Sequence, residues 1–418
     1  MQGRTTLRPA CKALTIFTNS CKAAHSGGAR QLKLCCGLTE FPSAIYQLAD
    51  SLESLDLSGN QLSTLPEDFT RLKKLRILFA SNNAFTELPP VLGRMPQLEM
   101  VGFKACQITE VPAQSLPPRL RWLILTDNQI RQLPEALGQR PRLQKLMLAC
   151  NQLRTLPASL AQCQRLELLR IASNQFEALP EPVLDLPQLA WLALAGNPMT
   201  QKSEQLALAE HGEKAYFYQD LQLHELHELH ELLGEGASGH VYRAAHTASG
   251  QPLALKRFKA GQTSDGTPQS ELAAGLAAGQ HPQLLTPLAA VRGLPQAQLA
   301  MALPLLPASM LALAGPPSLA SCTRDVYADG LCLQPGAASR MLQGIGAAVQ
   351  HLHGRGLLHG DVYAHNILWN PATGDAVLSD LGAAALLHDL PAKQKAQLQQ
   401  MELRALRYLE AEVQARMA

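Results

Sequence analysis

A block of 23 residues that returns along the first half of the chain limits its possible folds more than any other feature. Its reference position is held by Leu32, Leu55, Leu78, Val101, Leu123, Leu146, Leu169 and Leu192, at steps of 23 residues with one of 22. Two positions later comes a second aliphatic or small residue. Five positions later stands an Asn, at Asn60, Asn83, Asn128, Asn151, Asn174 and Asn197, with Gly37 and Cys106 in the first and fourth blocks. Alternating leucines turn alternate side chains of a short strand inward. No single block can bury them alone, so the blocks must stack into one continuous core. The Asn side chain, with a donor and an acceptor, can satisfy backbone groups where the chain leaves the strand.

With Leu-Pro closing the units at Leu65-Pro66, Leu133-Pro134 and Leu156-Pro157, the pattern resembles the leucine-rich repeat, L-x-x-L-x-L-x-x-N-x-L. The eighth unit loses that closure and runs into Asn197, Pro198, Met199 and Thr200, which predicts a terminal cap near residue 200. The outward, concave positions then include Ile77, Phe79, Met100, Trp122, Ile124, Met147, Leu168 and Trp191. A solvated face does not carry such an apolar and aromatic stripe. It reads as a binding surface for a protein partner, with Trp122 and Trp191 as anchors. The same stripe would arise if the second half of the chain covered it, or if the register were one residue off.

Composition narrows the partners. The charge of +2, from 36 basic against 34 acidic residues, provides no bulk field for nucleic acid or an anionic membrane. Nine scattered cysteines without a C-x-x-C pair fit a reducing, cytoplasmic setting better than disulfides or zinc. Residues 1–28 are basic, with Arg4, Arg8, Lys12 and Lys22 and no acid; this suits an organelle transit peptide or, more simply, a disordered leader. The uncharged run between Arg292 and Arg324 has the length of a membrane span, but five prolines interrupt it. Histidines at every third position, His224, His227 and His230, converge neither on a strand nor on a helix, so a shared metal ion is not expected.

The second half carries chemistry. LLGEGASGHVYRAA sets Gly234, Gly236 and Gly239 in G-x-G-x-x-G register, followed by Val241. Dinucleotide-binding loops share that spacing. Here, however, an alternating strand with Ala254 and ending in Lys256 follows, where a dinucleotide site would need a helix. Glycines let backbone amides close over phosphates, and the ammonium can neutralise phosphate charge. QSELAAGLAAG then offers Glu271 on a helix. A helix through Met341, Leu342, Ile345, Val349 and Leu352 leads into HGDVYAHN, with Asp361 and Asn366 five residues apart, and Asp380-Leu381-Gly382 follows.

In order and spacing, residues 231 to about 382 resemble the protein kinase superfamily. The resemblance implies an ATP site built from Gly234, Gly236, Gly239, Val241, Ala254, Lys256 and Glu271, with Glu271 as partner of Lys256. It implies Asp361 as the residue that orients the attacking hydroxyl and takes its proton, and Asn366 and Asp380 as Mg²⁺ ligands. By the same likeness the uncharged run is an inner strand, a hinge and the start of a second lobe.

The chain departs from the family at Gly360, at Leu381 and after Gly382. Gly360 stands where the usual arginine precedes the aspartate, so control through a phosphorylated activation loop is not expected. Leu381 replaces a Phe, and the 36 residues after Gly382 form one or two amphipathic helices without an Ala-Pro-Glu. The chain is most similar to bacterial proteins that join leucine-rich repeats to a short kinase domain. The expected architecture is multi-domain: a leader over 1–28, an α/β leucine-rich-repeat solenoid of eight units over 29–200, a linker over 201–222, and a two-lobed α+β kinase-like domain, C-terminally shortened, over 223–418. The expected function is that of an ATP- and Mg²⁺-dependent protein kinase of Ser/Thr type whose repeats recruit a protein partner or substrate. A non-catalytic ATP-binding scaffold and a small-molecule phosphotransferase are the alternatives.

Overall fold

A computed structural model describes residues 28–210, 220–236, 238–259, 263, 265–318 and 321–417. The basic leader and the middle of the 201–222 linker lie outside the described residues. The chain divides into two compact units: one reaches Leu166 and includes Pro180–Pro187, and the other comprises Glu167–Leu179 and Gln188–Ala418.

The first unit is a stack of repeats. Its strands are β1 (Gln31–Lys33), β2 (Ser54–Asp56), β3 (Ile77–Phe79), β4 (Met100–Gly102), β5 (Trp122–Ile124) and β6 (Lys145–Met147). They pair in parallel and in chain order, with Leu32, Leu55, Leu78, Val101, Leu123 and Leu146 in one row. From the second repeat on, that row and the residues two positions further are buried, for example Leu55 and Leu57, while Leu32 and Leu34 of the first repeat are half-buried, so the inward register follows the alternation read from the sequence. Opposite each strand runs a short 3₁₀ turn, such as Glu67–Arg71, Glu135–Gln139 and Ala158–Gln162. The prolines of the Leu-Pro pairs, Pro66, Pro134 and Pro157, stand directly before these turns in extended conformation, where a fixed φ and a missing N–H do no harm.

The Asn positions form a ladder between repeats. Asn128 Oδ1 accepts from Cys106 N at 3.1 Å and Ile108 N at 2.9 Å, while its Nδ2 donates to Phe103 O and Leu125 O, both at 2.9 Å. All of these groups are shut away from water, and each buried polar group left without a partner costs about 1–3 kcal/mol. Asn128→Ala is therefore expected to destabilise the chain by about 3 kcal/mol, seen as a lower urea midpoint. A change below about 0.5 kcal/mol would show that the ladder contributes nothing. In the fourth repeat Cys106 takes the Asn position and its thiol donates to Ala80 O at 3.2 Å.

The second unit opens with two more repeat strands, β7 (Leu168–Arg170) and β8 (Trp191–Ala193), which also pair in parallel. Asn197 caps them, with Oδ1 accepting from Asn174 N and Phe176 N at 3.1 and 3.2 Å. Helix α1 (Pro198–Glu210) follows, then β9 (Leu221–Gln222), β10 (Leu226–Glu235), β11 (Gly239–His246), β12 (Pro252–Phe258), helix α2 (Pro268–Ala278), β13 (Ala289–Arg292) and β14 (Ala300–Pro304). These strands form a six-stranded sheet in the order β10, β11, β12, β14, β13, β9, antiparallel except for the parallel pairing of β13 with β9. One face buries Leu226, Leu253, Leu255, Val291 and Ala302, and the other packs Phe258, Met301 and Leu303 on Leu272 and Leu276 of α2.

The remaining part is built on helices. After β15 (Leu311–Ala312) come α3 (Pro335–Gly354), β16 (Leu357–Leu358), β17 (Ile367–Trp369), β18 (Ala376–Leu378), β19 (Ala385–Leu386) and α4 (Ala392–Gln414). The uncharged run thus forms β14 and β15, and no described helix is long and apolar enough to cross a membrane. The tail after Gly382 makes β19 and one long helix, α4, which buries Leu398, Met401, Glu402, Ala405, Leu409 and Val413 at helical spacing. The charged member of that set, Glu402, has a function in the site below.

Candidate functional site

The site is assembled in the second unit. The glycine segment is the turn between β10 and β11, closed by Gly236 N donating to Gly239 O at 2.9 Å. At Gly239 a Cβ would stand 2.5 Å from Arg257 O, so only glycine permits that close approach of β11 to β12. A Cβ on Gly234 or Gly236 would meet nothing within 4 Å, so the loop is open on that side. Beneath the loop, Ala254 is buried and Val241 is half-buried against the cluster of Phe258, Met301 and Leu303.

Lys256 on β12 and Glu271 on α2 form a buried ion pair. Thr267 caps α2 by accepting from Ser270 N at 3.1 Å, and Pro268 opens its first turn, which fixes the helix that presents Glu271. Burial works against the Lys256 ammonium, yet Glu271, with Asp380 and Asp265, holds it above its ordinary range.

Asp361 lies between β16 and β17, where Asn366 Nδ2 donates to Asp361 Oδ2 and to Asp361 O, both at 2.9 Å. With its amide nitrogen so engaged, Asn366 keeps its side-chain oxygen for another partner. Asp380 is exposed, with φ of 62°, and accepts from Gly382 N at 3.1 Å. The lysine, its glutamate, the two aspartates, the Asn and the glycine turn all fall in the second unit.

Four further groups brace this loop and were not singled out from the sequence. Glu402 of α4, fully buried, accepts from Gly360 N at 2.6 Å and His359 N at 3.2 Å, and pairs with His353 Nε2 at 2.8 Å. Asp325 accepts from Ala364 N at 3.0 Å and His365 N at 3.2 Å, and its contact with His365 Nδ1 is 2.7 Å. Burial lowers the His365 imidazole less than Asp325 and Asp361 raise it, so it titrates above its ordinary range. Asp265, in the segment before α2, approaches the guanidinium of Arg170 at 3.1 Å. Arg170, on β7, also pairs with Asp361 and donates to Gly360 O at 3.2 Å. Burial opposes ionisation of Asp361, but Arg170, helped by His365 and His359, keeps its carboxyl below the usual carboxylate range.

One signal for Arg170 was present in the sequence. It occupies the position one after the reference leucine, where the third, fifth and sixth units carry Phe79, Ile124 and Met147. Glu402 follows an ordinary amphipathic pattern, and nothing local marks it.

The eight stripe residues are less open than the spacing predicts. Ile77, Met100 and Trp122 are buried, while Phe79, Ile124 and Met147 are half-buried. Large side chains on strands about 4.8 Å apart lean on one another. Trp122 lies 4.4 Å from the Lys145 ammonium, and its N–H points at Met147 Sδ at 3.2 Å. In the second unit Leu168 and Trp191 are buried. The Trp191 ring stacks on Tyr363 with centroids 4.2 Å apart and on Tyr408 at 5.6 Å, and its N–H donates to Val362 O at 3.0 Å. Trp191 is thus not an open anchor, because residues of the second half cover it.

Glu402→Ala would leave Gly360 N and His359 N buried without acceptors. It is expected to destabilise the second unit by about 2–3 kcal/mol, with a smaller loss for Glu402→Gln, read from urea unfolding followed by circular dichroism. Equal stability of Glu402→Ala and the wild type would refute the bracing role.

A sequence model of the protein kinase domain matches residues 227–411, and one of the leucine-rich repeat matches residues 34–85, 118–176 and 141–199. Human PH domain leucine-rich repeat-containing protein phosphatase 1 is 30% identical over 92 residues, which are 22% of this chain and 5% of that protein. Mouse leucine-rich repeat serine/threonine-protein kinase 1 is 33% identical over 104 residues, 25% of this chain and 5% of that protein. The chain therefore spans only a small part of the length of these curated relatives. Among solved structures, a leucine-rich-repeat protein of Leptospira interrogans aligns with a TM-score of 0.30 and 24% identity, covering 42% of this chain and 63% of that one.

Proposed function

Because this chain is a leucine-rich-repeat protein that carries a protein kinase domain, we propose that it transfers the terminal phosphoryl group of ATP to a Ser or Thr hydroxyl of a protein. One observation carries this reading: the Lys256–Glu271 pair, the Asp361–Asn366 contact and Asp380 belong to a single charged site. Four carboxylates, Asp265, Glu271, Asp361 and Asp380, face two cations, Lys256 and Arg170. That surplus, with the oxygens of Asn366 and Asp380, is the hard donor set that suits a divalent cation such as Mg²⁺.

Within that reading, Mg²⁺ would neutralise charge on the phosphates. The glycine turn offers backbone amides, and Lys256, fixed by Glu271, offers an ammonium to phosphate oxygens. Asp361 orients the acceptor hydroxyl and accepts its proton. Val241 and Ala254 supply apolar walls for a base. The repeats recruit the protein, and the side chains left for that task are the half-buried Phe79, Ile124 and Met147 of the first unit.

The test is incubation of the full chain with labelled ATP and Mg²⁺, with dephosphorylated casein as acceptor, followed by identification of the labelled residue. Label on Ser or Thr supports the proposal. Binding of a fluorescent ATP analogue without any transfer favours the scaffold reading, and transfer to small hydroxylated acceptors alone favours the phosphotransferase.

A further inference from the structure

The loop that carries Asp361 has no cation of its own immediately before the acid, since Gly360 stands there. A guanidinium nevertheless reaches the loop from β7. Arg170 Nη1 donates to Gly360 O at 3.2 Å, Nη2 pairs with Asp361 Oδ1, and Nε lies 3.1 Å from Asp265 Oδ1. Its side chain is 4% exposed. The neighbouring repeat strand closes on the same loop: Leu192 O would lie 2.5 Å from a Cβ on Gly360, and Trp191 donates to Val362 O.

We propose that Arg170, supplied by the seventh repeat, is a positioning residue for Asp361 in a loop whose residue immediately before that acid, Gly360, carries no charge. The inference rests on the kinase reading above. One planar fork bonds two acceptors of the loop, Gly360 O and Asp361 Oδ1, while its Nε edge lies beside the Asp265 carboxylate of a second segment, a geometry open to guanidinium and not to ammonium. The two carboxylate oxygens of Asp361 are each held from a different side, Oδ1 by Arg170 and Oδ2 by Asn366. A carboxylate has about four lone-pair sites, so one fixed in this way still accepts a bond from an incoming hydroxyl. The guanidinium also offsets Asp265 and Asp361 in a site already rich in acid. The repeats then have a role in chemistry as well as in recruitment.

The experiment compares the full-length wild type with Arg170→Ala and Arg170→Lys, following label from ATP and Mg²⁺ to casein, with circular dichroism to check folding. Misplacement of the group that orients the nucleophile is expected to lower kcat about 10- to 100-fold while KM for ATP changes less than about 3-fold. Arg170→Lys is expected to recover part of the loss, since charge returns without the fork. If Arg170→Ala does not fold, Arg170→Lys decides: an unchanged kcat overturns the proposal. A kcat for Arg170→Ala equal to the wild type also overturns it, and a higher kcat would mean that the contact blocks Asp361. A wild type that labels neither casein nor itself overturns the kinase reading and the role of Arg170 with it. Loss confined to the Arg170 variants separates the two.

Discussion

Asp361→Asn is expected to lower phosphoryl transfer about a thousand-fold while leaving binding of ATP within a few-fold of the wild type. The amide is nearly isosteric, so the contact from Asn366 Nδ2 to Oδ2 can survive through the remaining oxygen. What disappears is the negative charge that meets Arg170 and the capacity to take a proton from the hydroxyl. Lys256→Met differs in kind. It removes the partner of a buried carboxylate, Glu271, so it is expected to weaken nucleotide binding and lower transfer together, and to reduce stability. Stopped transfer with intact ATP binding in Asp361→Asn, beside impaired binding in Lys256→Met, is the joint signature. If Asp361→Asn transfers phosphate at the wild-type rate, Asp361 does not orient the hydroxyl.

The residues of that prediction were readable because each is marked by its own neighbours in sequence. The 23-residue period fixes which side chains point inward, and the structure lines up Leu55, Leu78 and Val101 accordingly. The alternation read from the sequence ends at Lys256, which stands two residues before the end of β12, a strand whose middle is buried on both faces, while Asp361 and Asn366 keep a spacing set by one short turn. Arg170 and Asp361 are 191 residues apart, and Gly360 and Glu402 are 42 apart. No local pattern announces such pairings, because they depend on how finished elements pack. The burial of much of the stripe was illegible for the same reason: alternation states which face a side chain leaves by, not what covers it. Trp191 has the spacing of an exposed anchor and ends under Tyr363.

Gly360 shows how a residue read as a loss can be a spatial requirement. In sequence it marks a missing arginine; in the structure it has φ of 74°, and an added Cβ would lie 2.5 Å from Leu192 O and 2.6 Å from Ala383 O. Both obstacles are backbone atoms, which cannot rotate away as a side-chain end could. Gly360→Ala combines a left-handed conformation that costs an L-residue about 1–2 kcal/mol with overpacking that costs about 1–3 kcal/mol. We expect a loss of about 3 kcal/mol in urea unfolding, and a steep fall in kcat as the loop bearing Asp361 is pushed from β8. Gly360→Arg should be at least as damaging, because the first carbon of the side chain already collides. Full stability in Gly360→Ala would mean that β8 does not press on the loop. Activity above the wild-type level in Gly360→Arg would mean that the cation, and not the space, was what this position lacked.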